Sequence, residues 1–174
     1  MSTSLDLTQL SLMDALDMAI LIEEEAHQRY KSFASQIGRT GGDNDPGTFF
    51  AKMADNEAKH GNELLERRIA MFGKVPMKVQ LTDLFDVEAP DAAAPRRGMS
   101  LVQAFELGLS AERKAYDFYD KALPGITDPE VIKLFTELRD EETEHVEMIQ
   151  EAMAKLPEIA RVETPNDPDD APYL

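Results

Sequence analysis

The chain carries the same pattern twice. Ser11, Leu12, Ala15, Glu23, Ala26 and Tyr30 recur unchanged, 89 residues on, as Ser100, Leu101, Ala104, Glu112, Ala115 and Tyr119. Phe50, Asp55, Glu57 and His60 recur with an offset of 85 as Phe135, Asp140, Glu142 and His145. Amphipathic helices resemble one another at apolar positions by chance, but chance does not match the charged ones. Two related helix pairs about a pseudo-twofold axis are therefore expected, which confines the fold to an all-α bundle.

Helical periodicity predicts four long helices, near residues 11–37, 47–72, 100–123 and 129–156, and strand-like alternation is nearly absent. Ser11 with Asp14, and Ser100 with Gln103, have the spacing of capping boxes. Glycine and proline punctuate both hairpins, in "GGDNDPG" and "PGITDP", so each pair is expected to be antiparallel. Residues 73–98 contain Pro76, Pro90, Pro95 and "APDAAAP". A stretch of that size can run the ~40 Å of such a helix, which predicts a long crossover joining parallel second and third helices. Residues 81–87, "LTDLFDV", predict one short helix within it. The reading is one bundle domain over 1–156, followed by a flexible, acidic, proline-rich tail over 157–174.

Charge and cysteine content narrow the function. With 18 Lys+Arg against 34 Asp+Glu, the formal charge of -16 opposes binding to phosphate backbones and anionic lipid, so neither nucleic acid nor membrane is an expected partner. The same field attracts cations, although acidic surfaces more often serve solubility. The absence of cysteine removes disulfides, zinc ribbons, iron–sulfur centres and thiol catalysis. The opening "MSTSLDLTQL" lacks the basic start and apolar core of a signal peptide, and a cytoplasmic location is expected.

The stretch "ILIEEEAHQRY" holds three consecutive glutamates, and helical geometry separates them. The stripe through Glu23 runs Leu12, Leu16, Ala19, Ala26, Tyr30, Phe33 and Ile37, apolar apart from its acid and its tyrosine. The stripe through Glu24 carries Asp17, Ile20, Gln28 and Lys31, and that through Glu25 carries Asp14, Met18, Leu21, Gln28, Arg29 and Ser32; both are read as outward. The third helix repeats the inward pattern around Glu112, with Leu101, Phe105, Gly108, Ala115, Tyr119 and Ala122. The second and fourth helices each place Glu-x-x-His on an apolar stripe, as Glu57 with His60 and Glu142 with His145. Side chains three residues apart lie one turn above each other and can reach one point.

Four unpaired carboxylates on one core would each cost several kcal/mol, against a net stability of typically ~5–15 kcal/mol. Protonation, arginine pairing or metal ions could compensate them, and no arginine lies on these stripes at the level of the acids. Two divalent cations would balance four carboxylates, with two neutral imidazoles completing their shells. A single Glu-x-x-His is a weak signal; two on matched stripes, in register with two further acids, are a strong one.

This set resembles the ferritin-like di-iron carboxylate proteins, in which two helices give one Glu each and the other two give Glu-x-x-His. "EEEAHQRY" and "ERKAYDFY" resemble the rubrerythrin branch more narrowly, and the likeness covers roughly residues 11–156. The resemblance implies a ferritin-like four-helix bundle holding two iron ions. It would place Glu23 with His60 on one ion and Glu112 with His145 on the other, Glu57 and Glu142 bridging, and would make the four glutamates the catalytic set. Two departures stand out: rubrerythrins proper carry a rubredoxin-like iron centre on four cysteines, and they have a further glutamate where this chain has Ala115. The first implies a separate electron donor; the second argues against iron movement of the peroxidase type. His27, one turn after Glu23, and Tyr30, Tyr116 and Tyr119 are further candidates as partners of the ligands; Tyr30 and Tyr119 could equally pack, and His27 is open as a ligand, a partner or a partly exposed side chain.

The leading functional expectation is a homodimeric redox enzyme whose carboxylate-bridged di-iron(II) centre reduces hydrogen peroxide or dioxygen. A ferroxidase or an iron storage or delivery protein is the alternative, followed by a metal-stabilised bundle without turnover and, last, hydroxylation of an organic substrate. Zinc or manganese could substitute, because the ligand types do not select iron uniquely.

Overall fold

The computed structural model describes residues 10–37, 45–79 and 99–161. Within them lie α1 (Leu12–Ile37), α2 (Pro46–Phe72), α3 (Leu101–Ala122) and α4 (Pro129–Ala154), with short 3-10 helices at Leu123–Gly125 and Glu158–Arg161. The short helix expected at 81–87 and the tail beyond residue 161 lie outside the described residues.

The helix starts follow from side-chain chemistry. Asp45 caps α2 by accepting from the Thr48 N–H at 2.8 Å, and Asp128 caps α4 by accepting from the N–H groups of Glu130 and Val131. A proline follows each cap, where its missing N–H leaves no helical bond unmade. Ser100 and Gln103 form a full capping box on α3, the glutamine reaching back to the Ser100 N–H at 2.8 Å. At the start of α1 the Asp14 N–H bonds the Ser11 hydroxyl, but the Asp14 carboxylate, one methylene shorter than Gln103, accepts from that same hydroxyl. Gly73 ends α2 at φ 65°, a backbone state that side chains with a Cβ avoid, and its N–H returns to the Ile69 carbonyl.

Contacts between helices give their directions. Near the start of α2, Phe50 stacks on Tyr30 in the later half of α1, with ring centroids 5.9 Å apart, while Arg68 near the end of α2 pairs with Asp17 early in α1. α1 and α2 are therefore antiparallel. Phe105, early in α3, lies 4.7 Å from Phe50, and Tyr119, late in α3, lies 5.2 Å from Phe135, early in α4. α3 thus runs parallel to α2 and antiparallel to α4, while the crossover expected to join α2 to α3 lies, from residue 80 to residue 98, outside the described residues. Beyond residue 156 the 3-10 turn Glu158–Arg161 packs on α3 and buries Ala160.

The interior divides in two. Leu16, Ala19, Ile22, Tyr119, Leu134, Phe135 and Leu138 form one apolar cluster, and Tyr30, Phe33, Phe50, Met53, Phe105 and Ile149 form the other. Each large side chain so buried stabilises the fold by ~1.5–3 kcal/mol relative to exposure. Between the clusters lies a layer of acids and imidazoles.

One expectation about faces is corrected. Asp17, Met18 and Ile20, read as outward, are buried, and Asp17 is paired with the equally buried Arg68. α1 packs across more than one stripe, and Arg68 supplies the charge that lets an acid sit beside its core face. Glu24 is exposed and Glu25 half-buried, bonded to Arg29 one turn on at 3.2 Å.

Candidate metal centre

Four helices each send one glutamate into the polar layer, at 2–5% exposure: Glu23 from α1, Glu57 from α2, Glu112 from α3 and Glu142 from α4. His60 and His145 follow their glutamates by one turn, and their rings stack nearly parallel, 5.5 Å apart between centroids. His145 Nδ1 lies 3.3 Å from Glu57 Oε1, 3.3 Å from Glu112 Oε2 and 3.7 Å from Glu142 Oε2. All six side chains singled out in the sequence converge on this layer.

Their donor atoms form overlapping groups. Glu112, Glu142 and His145 make one, Glu57, His60 and His145 a second, and Glu23, His60 and Glu141 a third, with one atom from each residue within 4.8 Å of the others. Glu57 groups with both imidazoles, and His60 and His145 each belong to a second group as well. Among the described residues, Glu23 Oε2, Glu57 Oε1, Glu142 Oε2, His60 Nδ1 and His145 Nδ1 are buried without a hydrogen bond. Buried polar atoms without a hydrogen bond are costly, and this set of carboxylate oxygens and imidazole nitrogens has the chemistry to hold a cation.

Protonation states carry the same strain. Burial raises the pKa of Glu23 well above its ordinary value, and the neighbouring Glu57 carboxylate raises it further. Burial also lifts Glu142, with the charge of Glu112 adding to it. For His145 burial works downward, but Glu112, Glu142 and Glu57 overcome it and push the imidazole up to about 11. Without metal, protons are thus retained on groups that a cation would have to displace.

The flanking residues separate into distinct environments. The Tyr30 hydroxyl donates to Glu112 Oε1 across the α1–α3 contact. Gly108, one turn before Glu112, makes room for it; a Cβ there would sit 3.4 Å from the Tyr30 ring. Tyr119 is fully buried against Phe135. Tyr116 is half-buried and has no hydrogen bond to the cluster among the described residues. His27 Nδ1 donates to the Ala54 carbonyl at 2.7 Å, tying α1 to the backbone of α2 one turn before Glu57, and it joins none of the three groups.

A sequence model of the family described as Rubrerythrin matches residues 14–153, all but the outermost residues of the four-helix span and all of the acid layer. The chain belongs to the rubrerythrin family. Comparison with curated proteins and with solved structures finds no match. The rubrerythrin assignment and the four-helix architecture make this a ferritin-like bundle, and its carboxylate–histidine layer is a candidate metal site of the type that suits iron. No helix among the described residues is long and apolar enough to cross a membrane.

Two charged features of this rubrerythrin escaped the sequence reading. Glu141 approaches His60 Nδ1 at 4.0 Å and joins its donor group. Its position next to Glu142, and opposite Asn56 in the repeat, was visible, but the repeat gave no reason to expect an acid there. The Asp17–Arg68 pair was hidden because each residue lies on a different helix and neither belongs to the repeat.

Proposed function

We propose that this rubrerythrin is a redox enzyme that reduces hydrogen peroxide or dioxygen at a carboxylate-bridged pair of iron ions. The observation that carries it is the six-donor layer, Glu23, Glu57, His60, Glu112, Glu142 and His145, with its buried unpartnered atoms. Bound iron(II) would supply two electrons to the oxidant and so convert hydrogen peroxide and two protons to two waters.

The protein's contribution is to hold, orient and insulate. Glu57, whose donor atom groups with both imidazoles, and Glu142 would be the carboxylates shared by the two ions. Glu23 with His60, and Glu112 with His145, would complete the two positions. Tyr30 fixes the orientation of Glu112, and His27 holds the α2 backbone beside Glu57. The two apolar clusters keep bulk water from the layer and so strengthen its electrostatics. With no cysteine in the 174 residues to hold a rubredoxin-type centre, electrons would come from a separate donor. A cytoplasmic homodimer completes the proposal.

The test is rapid mixing of anaerobic, iron(II)-loaded protein with each oxidant in turn. Oxidation well above the rate of free iron(II), and a preference between the two oxidants, is the expected result. Rates equal to those of free iron(II) would remove the enzymatic reading.

A further inference from the structure

The two halves of the layer differ at their outer edges. Glu112, Glu142 and His145 are all buried. His60 instead keeps 18% of its side chain exposed and lines a cleft of about 140 Å³ between α2 and α4, walled in part by Leu64 and Leu138. Glu141 lines the same cleft nearer the solvent, 42% exposed, with Oε2 4.0 Å from His60 Nδ1.

Three helices converge here. Donor atoms of Glu23 from α1, His60 from α2 and Glu141 from α4 lie within 4.8 Å of one another. Glu23 is 97% buried by its 3% exposure, and its Oε2 has no hydrogen-bond partner, so the group contains an unsatisfied acceptor as well as an exposed acid. The repeat also breaks at this place. The offset that matches Glu57 to Glu142 and His60 to His145 sets Asn56 against Glu141, so the extra carboxylate exists on one side only. A neutral amide is a far weaker ligand for a hard cation than a carboxylate.

We propose that Glu141 is the solvent-side carboxylate ligand of the metal held by Glu23 and His60, which makes this the position through which the centre exchanges metal with solution. The proposal rests on the two-metal reading of the layer. A cation entering the cleft meets a half-exposed acid that can bind it while it still carries water, then deliver it to His60 and Glu23 without opening the bundle. A metal at Glu112, Glu142 and His145 would have no such acid among the described residues, because every donor of that group is buried.

Cobalt(II) gives a readout independent of oxidant turnover. The metal-free full chain and its Glu141→Gln and Glu144→Gln variants would be titrated anaerobically with cobalt(II), following its visible absorption, and then challenged with EDTA. The wild type is expected to bind two equivalents, one extracted faster than the other. Glu141→Gln should weaken one equivalent at least about tenfold, the scale on which even outer partners of metal ligands act, and leave the other unchanged. Glu144, exposed on α4 and outside the cleft, should behave as wild type when changed. Wild-type affinity and extraction for both equivalents in Glu141→Gln would overturn the role of Glu141 while leaving the two-metal reading intact. Loss of both equivalents, with an unchanged metal-free melting curve, would overturn the assignment to one position. A wild type that binds fewer than two equivalents would remove the two-metal reading, and this proposal with it.

Discussion

A carboxylate in a dry interior is destabilising until something neutralises it, and the size of that penalty makes single residues informative here. On the proposed bridging role of Glu57 and Glu142, Glu57→Ala or Glu142→Ala should abolish coupled binding of two metals. Glu24→Ala and Glu25→Ala, on the wet side of α1, should leave the stoichiometry unchanged; metal analysis after dialysis checks both, and equal losses at Glu23 and Glu25 would refute the face assignment. Tyr30→Phe keeps the packing with Phe50 but strips Glu112 of its hydroxyl donor. Metal affinity should fall about 10–100-fold while the fold survives, measurable by competition with a chromophoric chelator. The inward turn of Glu23 and Glu112 was legible in the sequence because each interrupts an apolar stripe. Glu141 was not, because only the spacing between α2 and α4 brings it to His60.

At the scale of the helix, local signals and packing decide different things. Starts and stops are local: Asp45–Pro46, Asp128–Pro129 and the Ser100–Gln103 box act within their own first turns, and Gly73 acts within the last turn of α2. Ser100→Ala should therefore cost about 1 kcal/mol in chemical denaturation, without changing metal stoichiometry. Burial is not local. α1 hides Asp17 as well as Glu23, because α2 brings Arg68 alongside one and the acid layer receives the other. Arg68→Met leaves Asp17 buried and unpaired, with an expected loss of about 3 kcal/mol; adding Asp17→Leu should restore much of it, since a well-packed apolar pair can replace a buried ion pair. Urea denaturation of the single and double variants gives the comparison. A single-variant loss below the error of the measurement would show that the pair is effectively solvated.

The whole molecule sets the pH response. His145 has a folded pKa of about 11 against an ordinary 6.5, so its contribution to stability is complete below pH 6.5 and is lost as pH rises towards 11. Glu23 and Glu142 are also raised, so they favour the fold while protonated and lose that contribution as pH climbs above their ordinary value of 4.5. The metal-free protein should accordingly lose stability as pH rises. Metal binding displaces the same protons, so the gain in melting temperature on loading should grow between about pH 6 and about pH 8. Calorimetry of the metal-free and loaded forms across that range tests this, and a gain that shrinks with pH would contradict it.

By itself the sequence determined the four helices, the doubled pattern and the inward turn of the four glutamates, because all of these follow from helical period, capping chemistry and the repeat within one chain. Only the tertiary structure decided how the halves differ. The approach of α2 to α4 leaves His60 in a cleft beside Glu141 while His145 is sealed, and the approach of α1 to α2 turns Asp17 and Arg68 into a buried pair. Those outcomes depend on distances between helices, which periodicity along a single helix does not encode.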